Sequence, residues 1–132
     1  MNADDATMTG IDLDERLDPS LAPRVVTELP GPRSRQLWER DATFHAANSS
    51  PAAQWLRLVL KDGNGAVVRD VDDNLFIDFS SGAVVANLGH APAPVARALA
   101  NEAARLMHYF DFATPARAEF FEALARTLPR SL

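Results

Sequence analysis

Four aspartates lie close together between residues 70 and 78, where their spacing could bind a metal ion: Asp70, Asp72, Asp73 and Asp78. Oxygen ligands that are close in sequence can surround Ca²⁺ or Mg²⁺. The segment DVDDN, however, lies between two predicted strands and lacks the mid-loop glycine and terminal glutamate of a helix-loop-helix calcium site. We therefore interpret these residues as turn residues that bond their own backbone, and we predict no metal site.

Three histidines and two serines are the other candidates for acid–base or nucleophilic chemistry. His45, His90 and His108 are too far apart in sequence for a local metal signature, and the first and last fall on predicted helix surfaces. For His90 we favour a backbone-bonded loop histidine over a catalytic one, because spacing fixes no acidic partner or nucleophile near it. Ser80 and Ser81 lack the G-x-S-x-G elbow of a serine hydrolase. The sequence therefore predicts no catalytic residue in this chain.

Composition narrows the function classes further. The 132 residues carry a net charge of −5 and no cysteine, and 47% of them are hydrophobic. The acidic balance argues against a nucleic-acid partner, and the lack of thiols excludes sulfur chemistry. The acidic N-terminus has no basic region followed by an apolar one, and no apolar run approaches the roughly 20 residues of a membrane span. We predict a cytoplasmic protein without a membrane partner.

Hydrophobic patterning predicts an arm, one helix, three strands and two helices, in that order. Residues 1–33 should be an irregular arm, and a short helix should start at Ser34 as its N-cap. The runs WLRLVL and AVVRDV predict a hairpin around the polar loop KDGNG, and LFIDF adds a third strand to make a meander.

Two amphipathic helices should cover this sheet. Pro94 suits the first turn of one helix, and the apolar stripe of that helix runs to Met107. Thr114 and Pro115 form an N-cap and N1 pair, and Pro129 stops that helix. These apolar faces are too extensive for three strands to bury, so exposed patches are expected.

Two stretches have compositions typical of a ligand or chain contact. SSGAVVANLGH consists of small residues, which let a backbone approach closely. MHYFDFATP places Tyr109, Phe110 and Phe112 between the two helices, and on composition alone we interpret these aromatics as core. Lys61, the chain's single lysine, lies in the predicted hairpin loop and should be a solvated surface residue.

Together these segments resemble the N-terminal region of class III pyridoxal-phosphate-dependent aminotransferases, such as the 4-aminobutyrate and ornithine aminotransferases. The resemblance covers about residues 30–129 and rests on four segments in order: PGPRSRQLWER, GAVVRDVDDNLFIDFSSGAVVANLGH, LMHYFDFATP and FFEALARTLP. The chain departs from the family pattern at Asp73, where a glycine is usual, at Ala83, where a bulky aliphatic is common, and at Pro92–Ala93, where His-Pro is usual.

The resemblance implies a fold and a domain organisation. The parent protein would be α/β, of the PLP-dependent transferase fold type I, whereas this chain alone would be α+β. Residues 1–33 would form an arm, 34–112 the N-terminal part of the small domain with its meander, and 113–132 the first helix leading into the large domain. A homodimer is typical of the family.

The resemblance also implies a division of labour. Gly82, Ala83, Val84, Phe110 and Phe112 would wall the substrate pocket. In the family, the lysine and phosphate-binding region that hold pyridoxal phosphate follow the point where this chain stops, so we predict no cofactor-binding residue here and no activity for the chain alone. The full-length enzyme would transfer an amino group from an ω- or α-amino acid to a 2-oxo acid.

Two alternatives stay open. The chain could be a non-catalytic remnant that acts as a protein-interaction module, using surfaces that a large domain would cover. It could also be part of a related pyridoxal-phosphate-dependent racemase or mutase, since such enzymes share the N-terminal motifs.

Overall fold

The computed structural model describes residues 16–44 and 50–129, which form two compact units that divide between Ala96 and Arg97. The elements are a 3-10 helix at Pro19–Leu21, α1 (Pro32–Phe44), α2 (Pro51–Leu56), β1 (Leu60–Asn64), β2 (Val67–Asp70), β3 (Leu75–Ile77), a short helical turn α3 (Ser81–Val84), α4 (Ala93–Ala103) and α5 (Pro115–Thr127). The chain is therefore α+β, as predicted.

The three strands form an antiparallel meander in the order β1-β2-β3, which confirms the prediction. Asn64 pairs with Val67, so Gly65 and Ala66 alone make the hairpin turn, and Gly65 has a φ of 59°. The predicted five-residue loop is therefore wrong: its first four residues belong to β1. The register shifts at Lys61, where β1 carries a bulge.

The predicted strand WLRLVL is also wrong, because its first two residues end helix α2. The Ser50 hydroxyl caps this helix by accepting a hydrogen bond from the Ala53 N–H at 3.2 Å, and a proline follows at the first helical position. Arg57 ends the helix in a left-handed conformation, with φ 49°. Serine followed by proline is a strong helix start, and here it outweighs the short apolar run.

Helix α1 begins at Pro32 and is capped from a distance. Ser34 is not the predicted N-cap: it lies in the first turn and is fully buried. The cap is Asp72, whose two carboxylate oxygens accept hydrogen bonds from the Arg33 and Ser34 N–H groups, both at 2.8 Å. A Cβ on Gly31 would lie 2.2 Å from the Asp72 Cγ, so this approach requires glycine.

The turn between β2 and β3 forms a polar node, by which we mean Asp70, Asp72 and Asn74. Asp70 accepts hydrogen bonds from the backbone N–H groups of Asp72 and Asn74 at 2.9 and 2.8 Å, which confirms the predicted turn chemistry. Asn74 in turn reaches the arm, because its Oδ1 accepts from the Val26 and Thr27 N–H groups. The node thus joins the arm, α1 and the meander.

The apolar core is small and adjoins the node. Its buried hydrophobic residues among those described are Val67, Val68 and Leu75. Arg24 forms an isolated antiparallel bridge to Leu75, with N–H···O distances of 3.0 and 2.7 Å. The arm therefore contributes backbone pairing to the edge of β3, in addition to the irregular chain that the prolines predict.

The later helices agree with the sequence in part. Thr114 caps α5 by accepting from the Arg117 N–H at 3.2 Å, as predicted. Helix α4 ends at Ala103, so the predicted continuation through Met107 is wrong. Neither helix buries a residue, and Leu99 and Phe120 are 67% and 58% exposed, which confirms the expected apolar patches.

The cap on α1 can be tested by Asp72→Ala. Burial raises the pKa of the Asp72 carboxyl, but hydrogen bonding by Ser34 and Arg33 and the charge of Arg33 outweigh it and hold the pKa below its usual value. Removing this carboxylate leaves two helical N–H groups without a partner. We expect the free energy of unfolding, measured by urea denaturation, to fall by about 1–2 kcal/mol.

Asp73→Asn is the matched control. Asp73 forms exposed ion pairs with Arg33 and Lys61 at 3.9 and 3.8 Å, and asparagine tolerates its φ of 65°. This substitution should change stability by less than about 0.5 kcal/mol. Equal losses in the two variants would contradict the capping role.

Candidate functional site

The turn α3 is left-handed. Ser81, Gly82, Ala83 and Val84 have φ values of 49°, 59°, 59° and 70°. A left-handed conformation costs roughly 1–2 kcal/mol for each residue that carries a Cβ, so three of these four residues are strained. The Val84 side chain is 71% exposed. The structure thus brings three predicted wall residues, Gly82, Ala83 and Val84, into one strained and exposed turn.

Asp78 holds the start of this turn. Its Oδ1 accepts hydrogen bonds from the Ser80 N–H, the Ser80 hydroxyl and the Ser81 N–H, each at 2.9 Å. The Ser80 hydroxyl therefore donates to a carboxylate within the turn. This arrangement is a capping interaction of the kind short polar residues form at turns, and it lacks the base that would activate a serine nucleophile.

His90 holds the other oxygen of the same carboxylate. Its Nε2 lies 2.7 Å from the Asp78 Oδ2. Its backbone pairs with Gly65 through two hydrogen bonds of 2.8 and 3.2 Å, which confirms the predicted backbone-bonded loop histidine. Sequence spacing fixes no acidic partner for His90, but the folded chain supplies one in Asp78. The available signal was the loop of small residues after β3, which returns His90 to the sheet beside Asp78, the residue that follows the strand.

The hydrogen bonds to Asp78 change its acidity. Those from the His90 ring, from Ser80 and from the Ser81 backbone outweigh partial burial and lower the pKa of Asp78 from 3.8 to about 2. The carboxylate is therefore ionised at neutral pH and acts as an acceptor on both oxygens.

Glycines let the two loops close together. A Cβ on Gly63 would lie 2.9 Å from the His90 Cβ, and a Cβ on Gly89 would lie 2.9 Å from the Gly65 Cα. Gly89 also has a φ of 82°. The contact between the hairpin turn and the segment before α4 therefore depends on residues without side chains.

The other predicted wall residues, Phe110 and Phe112, lie in the second unit, in the turn after α4. The Phe112 N–H donates to the Tyr109 carbonyl at 3.0 Å, and Phe110 has a φ of 50°. Phe110 and Phe112 are 75% and 77% exposed, and Tyr109 is 41% exposed, so interpreting these aromatics as core is wrong. The five wall residues thus fall into two groups, one in each unit.

The remaining candidates are surface residues. Lys61 lies on β1, half exposed, with its Nζ 3.8 Å from the Asp73 Oδ1, so its surface position is confirmed although its loop position is not. His108 follows α4 and is not on a helix, and His45 lies outside the described residues. Within residues 16–44 and 50–129, no group of three or more side chains is arranged to hold a metal ion. No helix in the same ranges has the length and hydropathy to cross a membrane.

A family profile described as Aminotransferase class-III matches residues 48–131, so the chain belongs to this family. It is 36% identical over 107 residues to the 4-aminobutyrate aminotransferase of Mycobacterium tuberculosis (strain H37Rv), which covers 81% of this chain and 23% of that enzyme. It is 34% identical over 86 residues to the alanine/serine racemase of Pyrococcus horikoshii, covering 65% and 18%.

Solved structures agree. The acetylornithine aminotransferase from Elizabethkingia anophelis superposes with a TM-score of 0.63 at 26% identity, over 70% of this chain and 22% of that one. A transaminase with PLP bound gives 0.62 at 28% identity, over 77% and 24%. The resemblance seen in the sequence is confirmed, and the chain spans about a fifth of the length of these relatives.

The described residues do not fit pyridoxal phosphate. The coenzyme needs a lysine for its imine, an acid near the pyridine nitrogen and free N–H groups for its phosphate. Lys61 is paired with Asp73 on the sheet surface, and the first turns of α1, α2 and α5 already donate to Asp72, Ser50 and Thr114. Lys61 and the first turns of α1, α2 and α5 therefore offer no anchor for the coenzyme.

The lowered pKa of Asp78 predicts how the stability of the fold depends on pH. Because the pKa of Asp78 is lower in the folded chain than its ordinary value of 3.8, the ionised carboxylate stabilises the fold at pH values above 3.8. This contribution is lost as the pH falls toward about 2. The difference in Tm between the wild-type chain and Asp78→Asn, measured by circular dichroism, should therefore be greatest above pH 4 and shrink between pH 4 and 2. Asp62→Asn, which removes an exposed partner of Arg69, is the control and should keep the wild-type pH profile. A constant difference at every pH would count against this role of Asp78.

Proposed function

We propose that this chain supplies the N-terminal, substrate-facing portion of a class III aminotransferase. The complete enzyme would transfer an amino group from an ω- or α-amino acid to a 2-oxo acid with pyridoxal phosphate, as a cytoplasmic homodimer. Family membership supports the reaction class. The observation that supports a role beside the substrate is the strained turn Ser81–Val84, which exposes backbone and small side chains. Asp78 fixes the start of this turn by accepting a hydrogen bond from the Ser81 N–H.

In this proposal the chain shapes the pocket and leaves the covalent chemistry to another part of the enzyme. Gly82, Ala83 and Val84 form one wall, and Phe110 and Phe112 contribute the aromatic part. Ala83 is small where the family commonly has a bulky aliphatic, so the pocket beside it is wider. Lys61 takes no covalent role, because it lies on the meander in a surface ion pair. The chain alone is then inactive.

A chimera tests the proposal. The matching segment of the Mycobacterium tuberculosis 4-aminobutyrate aminotransferase is replaced by the corresponding 107 residues of this chain. We expect the chimera to bind pyridoxal phosphate and to transaminate amino donors, measured by formation of the amino-acid product, whereas the isolated chain does neither. Lys61→Ala in the chimera is the matched control and should leave turnover unchanged.

Two outcomes would overturn the proposal. One is a folded, coenzyme-loaded chimera that transaminates no ω- or α-amino donor. The other is a borohydride-trapped adduct at Lys61, with turnover, in the isolated chain. Racemisation without transamination by the chimera would instead assign the chain to a racemase, as the similarity to the alanine/serine racemase allows.

A second candidate function is a non-catalytic interaction module. The observation that favours it is the exposed apolar surface of the second unit, where Phe120, Phe121 and Leu124 of α5 are 58%, 53% and 41% exposed. Contiguous apolar surface of this kind marks sites of association.

Sedimentation and dye binding test this second candidate. The purified chain should self-associate or bind a hydrophobic dye, and Phe120→Gln with Leu124→Gln should reduce both, because the substitutions remove exposed apolar area. Glu119→Gln on the same helix is the control and should change neither. A cooperatively unfolding monomer that binds no dye would contradict the presence of an uncovered interface.

A further inference from the structure

We infer that Asp78 and His90 are positioning residues, which hold the left-handed turn Ser81–Val84 in the shape that faces the substrate. The inference rests on the proposed function for its consequence, because that function makes the turn a pocket wall. The positioning itself follows from contacts within the first unit.

The turn cannot hold its shape by itself. Ser81, Ala83 and Val84 all carry a Cβ at positive φ, which disfavours this conformation for each of them. Three backbone hydrogen bonds close the turn: the Val84 N–H donates to the Ser80 carbonyl at 3.0 Å, and the Val85 and Ala86 N–H groups both donate to the Ser81 carbonyl at 2.8 Å. A single turn with so few hydrogen bonds is less stable than the extended alternatives unless its first residues are fixed from outside.

Asp78 supplies that fixation from the sheet. Its backbone N–H donates to the Ala66 carbonyl at 2.8 Å, so its main chain is held at the hairpin. Its Oδ1 takes three donors from Ser80 and Ser81, which orients the first peptide groups of the turn. Hydrogen bonds to a carboxylate are stronger than those between neutral groups. Asp78 therefore fixes the first residues of the turn relative to the hairpin.

His90 keeps the carboxylate in its orientation. Without a second partner, the Asp78 side chain could rotate about its Cβ–Cγ bond and lose the alignment of Oδ1. The His90 Nε2 at 2.7 Å from Oδ2 prevents this. His90 is itself fixed, because its backbone forms two hydrogen bonds with Gly65. Its side chain also packs closely against Gly63, where an added Cβ would lie 2.9 Å from the His90 Cβ.

Amide exchange measured by NMR on the full chain tests this. In Asp78→Ala and His90→Ala, the exchange rates of the Ser81, Val84 and Val85 amides should rise about tenfold or more, because their hydrogen bonds open locally. The Val71 amide, which donates to the Val59 carbonyl at 2.9 Å, reports on the sheet and should change less than about twofold.

A conservative variant and a matched control complete the design. His90→Gln retains an N–H donor at the end of a side chain of similar reach, so it should restore exchange in the turn to within about threefold of the wild-type rate. Asp62→Ala removes an exposed carboxylate from the same sheet and should leave the turn unchanged.

The results distinguish positioning from general stability. If all amides accelerate equally, if the turn does not respond, or if His90→Gln behaves like His90→Ala, the inference is wrong. If Asp78→Ala does not fold, the comparison of the two His90 variants decides. Exchange needs neither coenzyme nor substrate, so its failure leaves the proposed function standing, while an inactive chimera with normal exchange in the turn would overturn the proposed function alone.

Discussion

The first unit depends on one constraint, that the buried polar groups of the turn between β2 and β3 must satisfy one another. Asp70 and Asn74 are completely buried, and an unpaired carboxylate or amide there would cost several kcal/mol. Their hydrogen bonds run to the turn itself and to the arm, while Asp72 caps α1. Because the apolar core is small, this polar node rather than hydrophobic burial determines where the arm and first helix lie.

A similar interaction, in which a carboxylate accepts hydrogen bonds from the backbone N–H groups that follow it, recurs in the turn after β3. Asp78 follows β3 as Asp70 ends β2, and each carboxylate collects backbone N–H groups from the residues after it. Both turns contain residues other than glycine at positive φ: Asp73 in the first, and Ser81, Ala83 and Val84 in the second. Strain of this kind persists only where surrounding contacts determine the backbone. The buried turn fixes the fold, and the exposed one presents a strained surface.

The sequence predicted those features whose signals are local. Alternation revealed β2 and β3, and the Thr114–Pro115 pair marked the start of α5. The strand prediction for WLRLVL is wrong because a short apolar run does not distinguish strand from helix, and Ser50–Pro51 starts a helix that includes its first two residues. The remaining failures are long-range contacts: Asp72 caps a helix 38 residues earlier, and His90 meets Asp78 across 12 residues. No propensity encodes such pairings, because they arise only after the meander folds.

A pocket wall built from backbone has different requirements from one built from side chains. Gly82 and Ala83 have little or no side chain, so the shape of the turn at these residues is set by their φ and ψ angles. Three charge-assisted hydrogen bonds to Asp78 restrain the backbone at the start of the turn. Under the proposed function, substitution of a wall residue would change the volume of the pocket, whereas a change at Asp78 or His90 would alter the position of the whole turn. Under the proposed function, Asp78 and His90 would therefore contribute to specificity without touching a substrate.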